Sequence, residues 1–406
     1  MTQIRTKSAV SPVRRRFDPQ PVALPWVVDV VAAEQPDEPL HCLRPATIAA
    51  AASTFVGAFP GPVLYAVKCN PEPRVLRALW AGGVRHFDCA SPAEIALVRQ
   101  MFGTEASIHY MHPVKGRAAI RDAWHRHDVR EFVFDSDDEL AKLVTETGGP
   151  AASDRGLIVR LAVSNGGAYD LTGKFGAEPV DAVRLLQAAR PLAARLGVSF
   201  HVGSQCLDPR AYAQAMTRAA EVIRAAGVPV EIIDVGGGFP VSYPGITPPP
   251  LSAFIAETEG ARERLGLGGV ELWAEPGRAL VAGGTSVVVQ VQHRRGDALY
   301  INDGVYGSLS DAGAPAFRFP SRLIRIAEPA PARPQPFRLF GPTCDSADRM
   351  DGPFLLAEDA REGDWIEIGQ LGAYGAALRT AFNGFDRARL VDVADPPLLA
   401  TPGYDN

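Results

Sequence analysis

Nowhere in this 406-residue chain does an apolar run approach the roughly 18 residues that a membrane-spanning helix requires. Charge of one sign is also scarce. The 41 Lys and Arg against 46 Asp and Glu leave a net −5, so neither nucleic acid nor an anionic membrane surface finds a basic face to bind. Cysteine is sparse and poorly arranged for cross-linking. The five residues, Cys42, Cys69, Cys89, Cys206 and Cys344, are odd in number and include no CxxC pair. That disfavours a disulfide framework or a zinc site and makes a reducing cytoplasm the expected compartment. The first residues lack the apolar stretch of a secretory signal. Their basic side chains (Arg5, Lys7, Arg14, Arg15, Arg16) fit either a transit segment or a frayed arm, and the arm is favoured.

What the chain does have is alternation. From Pro60 to Arg278, β-rich runs recur at Val63–Val67, Val84–Phe87, Ser107–Tyr110, Glu131–Phe134, Leu157–Val163, Val198–Val202, Val230–Val235 and Val270–Ala274. Helical spacing fills the gaps, over Arg74–Ala81, Ala93–Phe102, Ala118–His127, Asp138–Thr147, Val180–Leu196, Ala211–Ala226 and Ser252–Leu265. Eight strands separated by helices is the count of a closed (β/α)8 barrel, with a doubly wound open sheet as the competitor. Polar and charged residues cluster just after each strand, as on one common rim, which favours the barrel. After Arg278 short strand-like runs between Gly/Pro-rich turns read as an all-β domain. Pro329 to Pro336 reads as a surface loop or extended hairpin connection. The expected division is therefore residues 1–40 as an arm and strand joining the β domain, 41–278 as the barrel and 279–406 as the C-terminal β domain. The joining strand is expected at Trp26-Val-Val-Asp-Val-Val.

The chemistry gathers around Tyr65-Ala-Val-Lys68-Cys-Asn70, a short apolar strand delivering one lysine at its carboxyl end before Pro71 stops it. Two readings compete for Lys68: a structural lysine paired to a carboxylate, or a desolvated amine that forms a Schiff base. Other strand ends bring Asp88, Arg160, His201, Ser204, the Gly236-Gly237-Gly238 run, Glu275, Gly277 and Arg278 to the same rim. Glycines beside a serine and an arginine suit a phosphate cradle, because backbone N–H groups approach closely where no side chain intervenes. Glu275 is either a salt-bridge partner or a carboxylate that keeps a pyridinium nitrogen protonated.

Taken in order, these pieces resemble a known family. Tyr-Ala-Val-Lys-Cys-Asn, Phe87-Asp-Cys-Ala-Ser, His201-Val-Gly-Ser, Asp234-Val-Gly-Gly-Gly-Phe-Pro and Glu275-Pro-Gly-Arg are followed by Gly341-Pro-Thr-Cys344-Asp345-Ser-Ala-Asp348 and Gly372-Ala-Tyr374. The set is similar to the fold-type III pyridoxal-phosphate basic amino acid decarboxylases, the ornithine/lysine/diaminopimelate group, and within it to the ornithine enzymes. The resemblance spans roughly Pro60 to Phe385. It implies an alanine-racemase-like barrel plus a β domain, pyridoxal 5′-phosphate as cofactor, and a homodimer with shared active sites. Lys68 would carry the cofactor, with Asp88 near it, His201 stacked on its ring and Glu275 on the ring nitrogen. Ser204, Gly238, Arg278 and Tyr374 would hold the phosphate, and Arg160, Gly236, Gly237 and Gly277 complete the cofactor set. Cys344 would donate the proton that replaces CO₂, and Asp345, with Asp348, would meet the substrate's distal amine from across the subunit boundary. Leu171-Thr-Gly-Lys174-Phe175-Gly176 matches a mobile loop of the family.

Two departures bear on the substrate. The ornithine enzymes carry a Tyr-Asp-His after the stretch matching Asn302-Asp-Gly-Val-Tyr-Gly307, and this chain instead reads Phe317-Arg318-Phe319-Pro320. Arg318 is favoured as a solvated or structural arginine. Pointing into the pocket, it would instead favour a distal carboxylate. Gln205 follows His-x-Gly-Ser, as in the diaminopimelate enzymes. Decarboxylation of ornithine before lysine is the leading expectation, with a distal-carboxylate substrate (diaminopimelate, or a carboxylated polyamine or siderophore precursor) second. A catalytically dead regulator of a decarboxylase is the third.

Overall fold

The computed structural model describes residues 23–152, 154–164, 166–167, 173–326 and 333–402. The basic arm, Leu171-Thr172 and part of the Pro329–Pro336 run lie outside the described residues. The chain enters through α1 (Val27–Glu34), β1 (Leu40–Leu43) and α2 (Pro45–Ala58). Eight strands then alternate with helices: β2 (Leu64–Ala66), α3 (Pro73–Ala81), β3 (His86–Cys89), α4 (Pro92–Phe102), β4 (Ser107–Tyr110), α5 (Arg117–His127), β5 (Glu131–Phe134) and α6 (Asp137–Glu146). They continue as β6 (Gly156–Arg160), α7 (Pro179–Ala189), β7 (Arg195–Ser199), α8 (Arg210–Ala226), β8 (Ile232–Asp234), α9 (Leu251–Arg264), β9 (Glu271–Trp273) and α10 (Arg278–Val281). The strands pair in parallel in sequence order from β2 to β9. A bridge of Val63 with Ala274 closes the ring, through Leu64 N–H to Ala274 O (2.8 Å) and Ala274 N–H to Pro62 O (3.1 Å).

Strand periodicity explains how the site is aimed. Leu64, Val133, Ile158, Ile232 and Trp273 form a separate buried cluster among the strands, with Met111 beside them. Two residues further along, the same face of each strand presents Ala66, Arg160, Asp234 and Glu275, with Asp88 at the matching level of β3, where it is Ala66's register partner. The apolar core therefore sits below a ring of polar groups at the strands' carboxyl ends, where (β/α)8 enzymes place their chemistry. The helices cover the outside through a second cluster that includes Tyr65, Phe87, Phe132 and Val198.

The remaining strands, β10 (Thr285–Arg295), β11 (Ala298–Ile301), β12 (Ser321–Ile324), β13 (Pro334–Phe340), β14 (Arg349–Ala357), β15 (Trp365–Ile368) and β16 (Arg389–Asp392), build a second sheet. Its order is β12-β15-β10-β11-β13-β14, with β1 antiparallel to β10 and β16 parallel to β1.

Two expectations are corrected here. Trp26 to Val31 is not the joining strand, because Val27, Val30 and Val31 are buried on one face of α1 while Val28 and Asp29 face out. That i, i+3, i+4 pattern overrides the β preference of four valines. The strand that joins the β domain is β1, His41 and Cys42 included. The Pro334–Pro336 end of the proline-rich run is not loop but the start of β13, a position where the missing proline N–H costs little.

Candidate active site

Lys68 stands in the short turn after β2, and its Nζ donates to Asp88 Oδ2 on β3 at 3.0 Å. Burial pulls the ammonium's pKa down, but the charges of Asp88 and then Glu275 outweigh it and hold it above its ordinary value. About half of the lysine side chain remains open (48% exposed) whereas Asp88 is buried, so the amine is both charged and reachable. With Ala66, His201, Ser204, Gly237, Gly238, Phe239, Glu275, Gly277, Arg278 and Tyr374, Lys68 lines a single cavity.

On its barrel side that cavity ends in carboxyls. Burial, with Asp234 and Asp88 close by, pushes Glu275 well above the usual carboxylate range. Asp234 is raised to about 6 by burial, partly offset by the neighbouring Glu275 carboxyl and by Gly236 N–H, which donates to its Oδ1 at 2.8 Å. The charge of Arg160 acts on both acids and on His201. His201 is held neutral, well below its ordinary value, by burial and by the charges of Arg160 and Lys68. Its Nδ1 accepts from Gly203 N–H at 3.0 Å, which puts the ring proton on Nε2. Sequence reasoning passed over Asp234, although its place at the end of β8 was the available signal.

The opposite end is a cradle. A Cβ on Gly237 would sit 2.7 Å from Glu275 O and 3.1 Å from His201 Nε2, and one on Gly236 or Gly238 would collide with backbone carbonyls. Gly236 and Gly238 also hold positive φ, so glycine is required at each. Gln205 fixes this turn. Its Nε2 donates to Val241 O (2.5 Å) and its Oε1 accepts from Val241 N–H (3.1 Å), leaving its buried amide committed to the backbone. Arg278 is buried against Asp311 (2.9 Å) and Tyr243 Oη (3.0 Å), with the rings of Phe317 and Tyr374 at 5.0 and 5.2 Å. Tyr374 is itself tied to the lysine turn, its N–H donating to Cys69 O at 2.9 Å. Tyr243 and Asp311 had no signal in the sequence beyond residue type.

The remaining expected residues form a second group that does not line this cavity. Cys344 is exposed, and its Sγ lies 3.4 Å from Asn383 Oδ1. Asp345 accepts from Tyr306 Oη (2.5 Å) and Ala347 N–H (2.9 Å), which hold it below the usual range for its type, the backbone bond most. Asp348 is instead buried. It accepts from Val305 N–H, Thr343 N–H and Thr343 Oγ1 at 2.8, 3.1 and 2.7 Å. Three donors engage its two oxygens, and its burial fits it to shape the loop rather than to face solvent. Arg318 is exposed, its guanidinium beside Gly245.

The cavity suits a phosphorylated pyridine aldehyde. Glu275 Oε1 and Asp88 Oδ1 are buried with no hydrogen-bond partner among the described residues, and a protonated ring nitrogen would relieve the acid at Glu275. The glycine turn and Arg278 offer backbone donors and a fixed cation at the other end. Comparison with known proteins agrees. Residues 46–282 match the pyridoxal binding domain of the pyridoxal-dependent decarboxylases, and residues 280–372 match the C-terminal sheet domain of the same enzymes. Ornithine decarboxylase of Panagrellus redivivus is 33% identical over 396 residues, covering 90% of this chain and 88% of its own. Antizyme inhibitor 2 of Xenopus laevis is also 33% identical, over 80% of this chain and 74% of its own. The arginine decarboxylase of Paramecium bursaria Chlorella virus, solved with agmatine, superposes with a TM-score of 0.80 at 27% identity, covering 90% of this chain and 98% of that one. The chain belongs to the pyridoxal-dependent decarboxylase family and is a decarboxylase that uses pyridoxal 5′-phosphate.

Proposed function

We propose that the protein decarboxylates L-ornithine to putrescine, with lysine the weaker substrate, as a cytoplasmic homodimer in which each active site is shared. The observation that carries this reading is Asp345, an ionised carboxylate held by Tyr306 and Ala347 N–H beside the Cys344 thiol. It is the group that a distal ammonium would meet. A distal carboxylate has no such counterpart, since Arg318 lies beside Gly245 and Gln205 is spent on Val241.

Bound in the cavity, pyridoxal phosphate supplies the electron sink that lets an α-amino acid lose CO₂. Lys68 Nζ would hold its aldehyde carbon, with Asp88 3.0 Å from the amine to take and return a proton. His201, neutral and fixed by Gly203, offers a flat face and no competing charge. Asp234 and Arg160 tune Glu275, which would pair with the ring nitrogen. Ser204, the amides of Gly237 and Gly238, Arg278 and Tyr374 would hold the phosphate. Cys344 then protonates the carbon that has lost CO₂.

The Antizyme inhibitor 2 relative raises the regulator reading. Lys68, His201 and Glu275 share one cavity with Asp88 on the lysine, and the chain also keeps Cys344 and Asp345, which favours the enzyme. Steady-state CO₂ release from ornithine, lysine, arginine and meso-diaminopimelate tests the proposal. Ornithine should give the highest kcat/KM, with lysine at least tenfold lower. Preference for diaminopimelate would overturn it in favour of a distal carboxylate, and no release from any of the four would restore the regulator.

A further inference from the structure

The consecutive carbonyls of the glycine turn after β8 all bond into the protein. Gly236 O accepts from Glu275 N–H at 2.9 Å, Gly238 O from Cys206 N–H at 2.9 Å, and Gly237 O from the phenol of Tyr212 at 2.9 Å. Two of these partners are backbone. The third is a side chain on α8, and the direction of its bond is fixed, because a carbonyl oxygen can only accept and Tyr212 Oη must therefore donate. In a planar trans peptide the C=O and the following N–H point opposite ways. Holding Gly237 O on the side of α8 thus turns Gly238 N–H toward the cavity that both glycines line. Gly236 N–H is spent on Asp234 Oδ1 (2.8 Å). Gly237 N–H and Gly238 N–H donate to no acceptor among the described residues.

That peptide needs a pin. It joins Gly237 to Gly238, so the torsions that rotate it belong to two residues without a Cβ, and a flip meets little of the steric resistance found elsewhere. A flipped unit would present a carbonyl oxygen where an anion has to sit. Tyr212 is built to prevent this. It is fully buried, and its ring lies 5.0 Å from Phe239 and edge-on to Phe254 of α9 at 5.8 Å. Its hydroxyl ends 3.2 Å from where a Cβ on Gly238 would stand. Burial lifts the phenol's pKa well above its ordinary value, so the donor keeps its proton.

We propose that Tyr212 is a positioning residue for the cofactor's phosphate, its hydroxyl fixing the Gly237–Gly238 peptide with the N–H facing the anion. The proposal rests on the reading of these two amides as phosphate donors. Tyr212 does not itself line the cavity and acts only through the turn.

Affinity for the cofactor with and without its phosphate separates this role from a merely structural one. The full-length protein, freed of cofactor, is titrated calorimetrically with pyridoxal 5′-phosphate and with pyridoxal, which keeps the ring and aldehyde but lacks the phosphate. Tyr212→Phe retains the ring and removes only the hydroxyl. It should weaken pyridoxal 5′-phosphate about fivefold, the worth of one net hydrogen bond, and change pyridoxal by less than about twofold. The ratio of the two affinities within one variant is insensitive to partial unfolding, because both compounds bind the same folded fraction. An unchanged affinity for pyridoxal 5′-phosphate overturns the proposal. So does an equal loss for both compounds, which would make Tyr212 a support of the whole site rather than of the anion cradle. The wild type tests the other reading separately. If it binds pyridoxal as tightly as pyridoxal 5′-phosphate, the glycine turn is no phosphate cradle and both readings fall. A wild-type preference for the phosphate that survives intact in Tyr212→Phe leaves the cradle standing and removes Tyr212 alone from it.

Discussion

Glu275 and Asp234 are acids whose pKa is higher in the folded chain than in the unfolded one, Asp234 reaching about 6. Between the unfolded and folded values the native state binds more protons, so stability falls as pH rises through that window. A protonated ring nitrogen beside Glu275 removes much of this penalty. The Tm difference between the loaded and unloaded protein should therefore widen from pH 5 to pH 8, and Glu275→Gln should flatten it. Buried His41, lowered to about 4, and buried His109 act in the opposite direction, losing stability as pH falls below about 6.5. Both lie outside the cavity and contribute equally to the two forms, so they cancel from the difference. A pH-independent difference in wild type would mean that Glu275 does not pair with the ring. At this scale the sequence was informative where residue type and strand end coincide, as at Lys68, Asp88, His201 and Glu275. It was silent on Tyr243 and Asp311, whose roles come from what they touch. It also suggested a substrate contact for Asp348, which is buried and bonded to Val305 and Thr343.

Elements explain which of those side chains converge. The eight barrel strands were legible because short β-branched runs ended in chemistry, and α3 to α9 because their apolar spacing is helical. α2 escaped notice: Ala-rich and weakly periodic, it buries only Ile48, Ala52 and Phe55. β1, β12, β14 and β16 also went unread, being short, mixed in character or interrupted by glycine and proline. Gln205 illustrates the limit of motif reading. The His-x-Gly-Ser-Gln pattern made it a specificity candidate, whereas the fold uses it to tie the turn after β7 to the segment after β8. Gln205→Ala should therefore cost about 2 kcal/mol from two lost hydrogen bonds at a buried site and lower Tm by a few degrees. The order of substrates should not change. A mutant of wild-type Tm with a reordered preference among ornithine, lysine and diaminopimelate would return Gln205 to the specificity set.

Across the whole molecule, the two groups of candidate site residues belong to different units. Lys68, His201 and Glu275 stand on the barrel, whereas Cys344 and Asp345 sit on the β13–β14 connection of the second sheet and do not line the Lys68 cavity. Barrel and sheet are locked together by the buried Arg278–Asp311 pair (2.9 Å) and by Asn70 Nδ2, which donates to Gly372 O (2.8 Å). Swinging the sheet over its own cavity would break these contacts, and losing one partner of a buried ion pair is strongly destabilising. A second copy of the chain can supply Cys344 without such a movement, through an isologous two-fold contact in which each chain completes the other's site. Mixing inactive Lys68→Ala with inactive Cys344→Ala chains should then restore activity. Random exchange makes half of the dimers mixed, and each of these has one intact site and one doubly defective site, so recovery should approach about a quarter of wild type. Co-purification of differently tagged chains verifies the exchange. If mixed dimers form and activity stays at the parental level, Lys68 and Cys344 act from the same chain and the shared site is wrong.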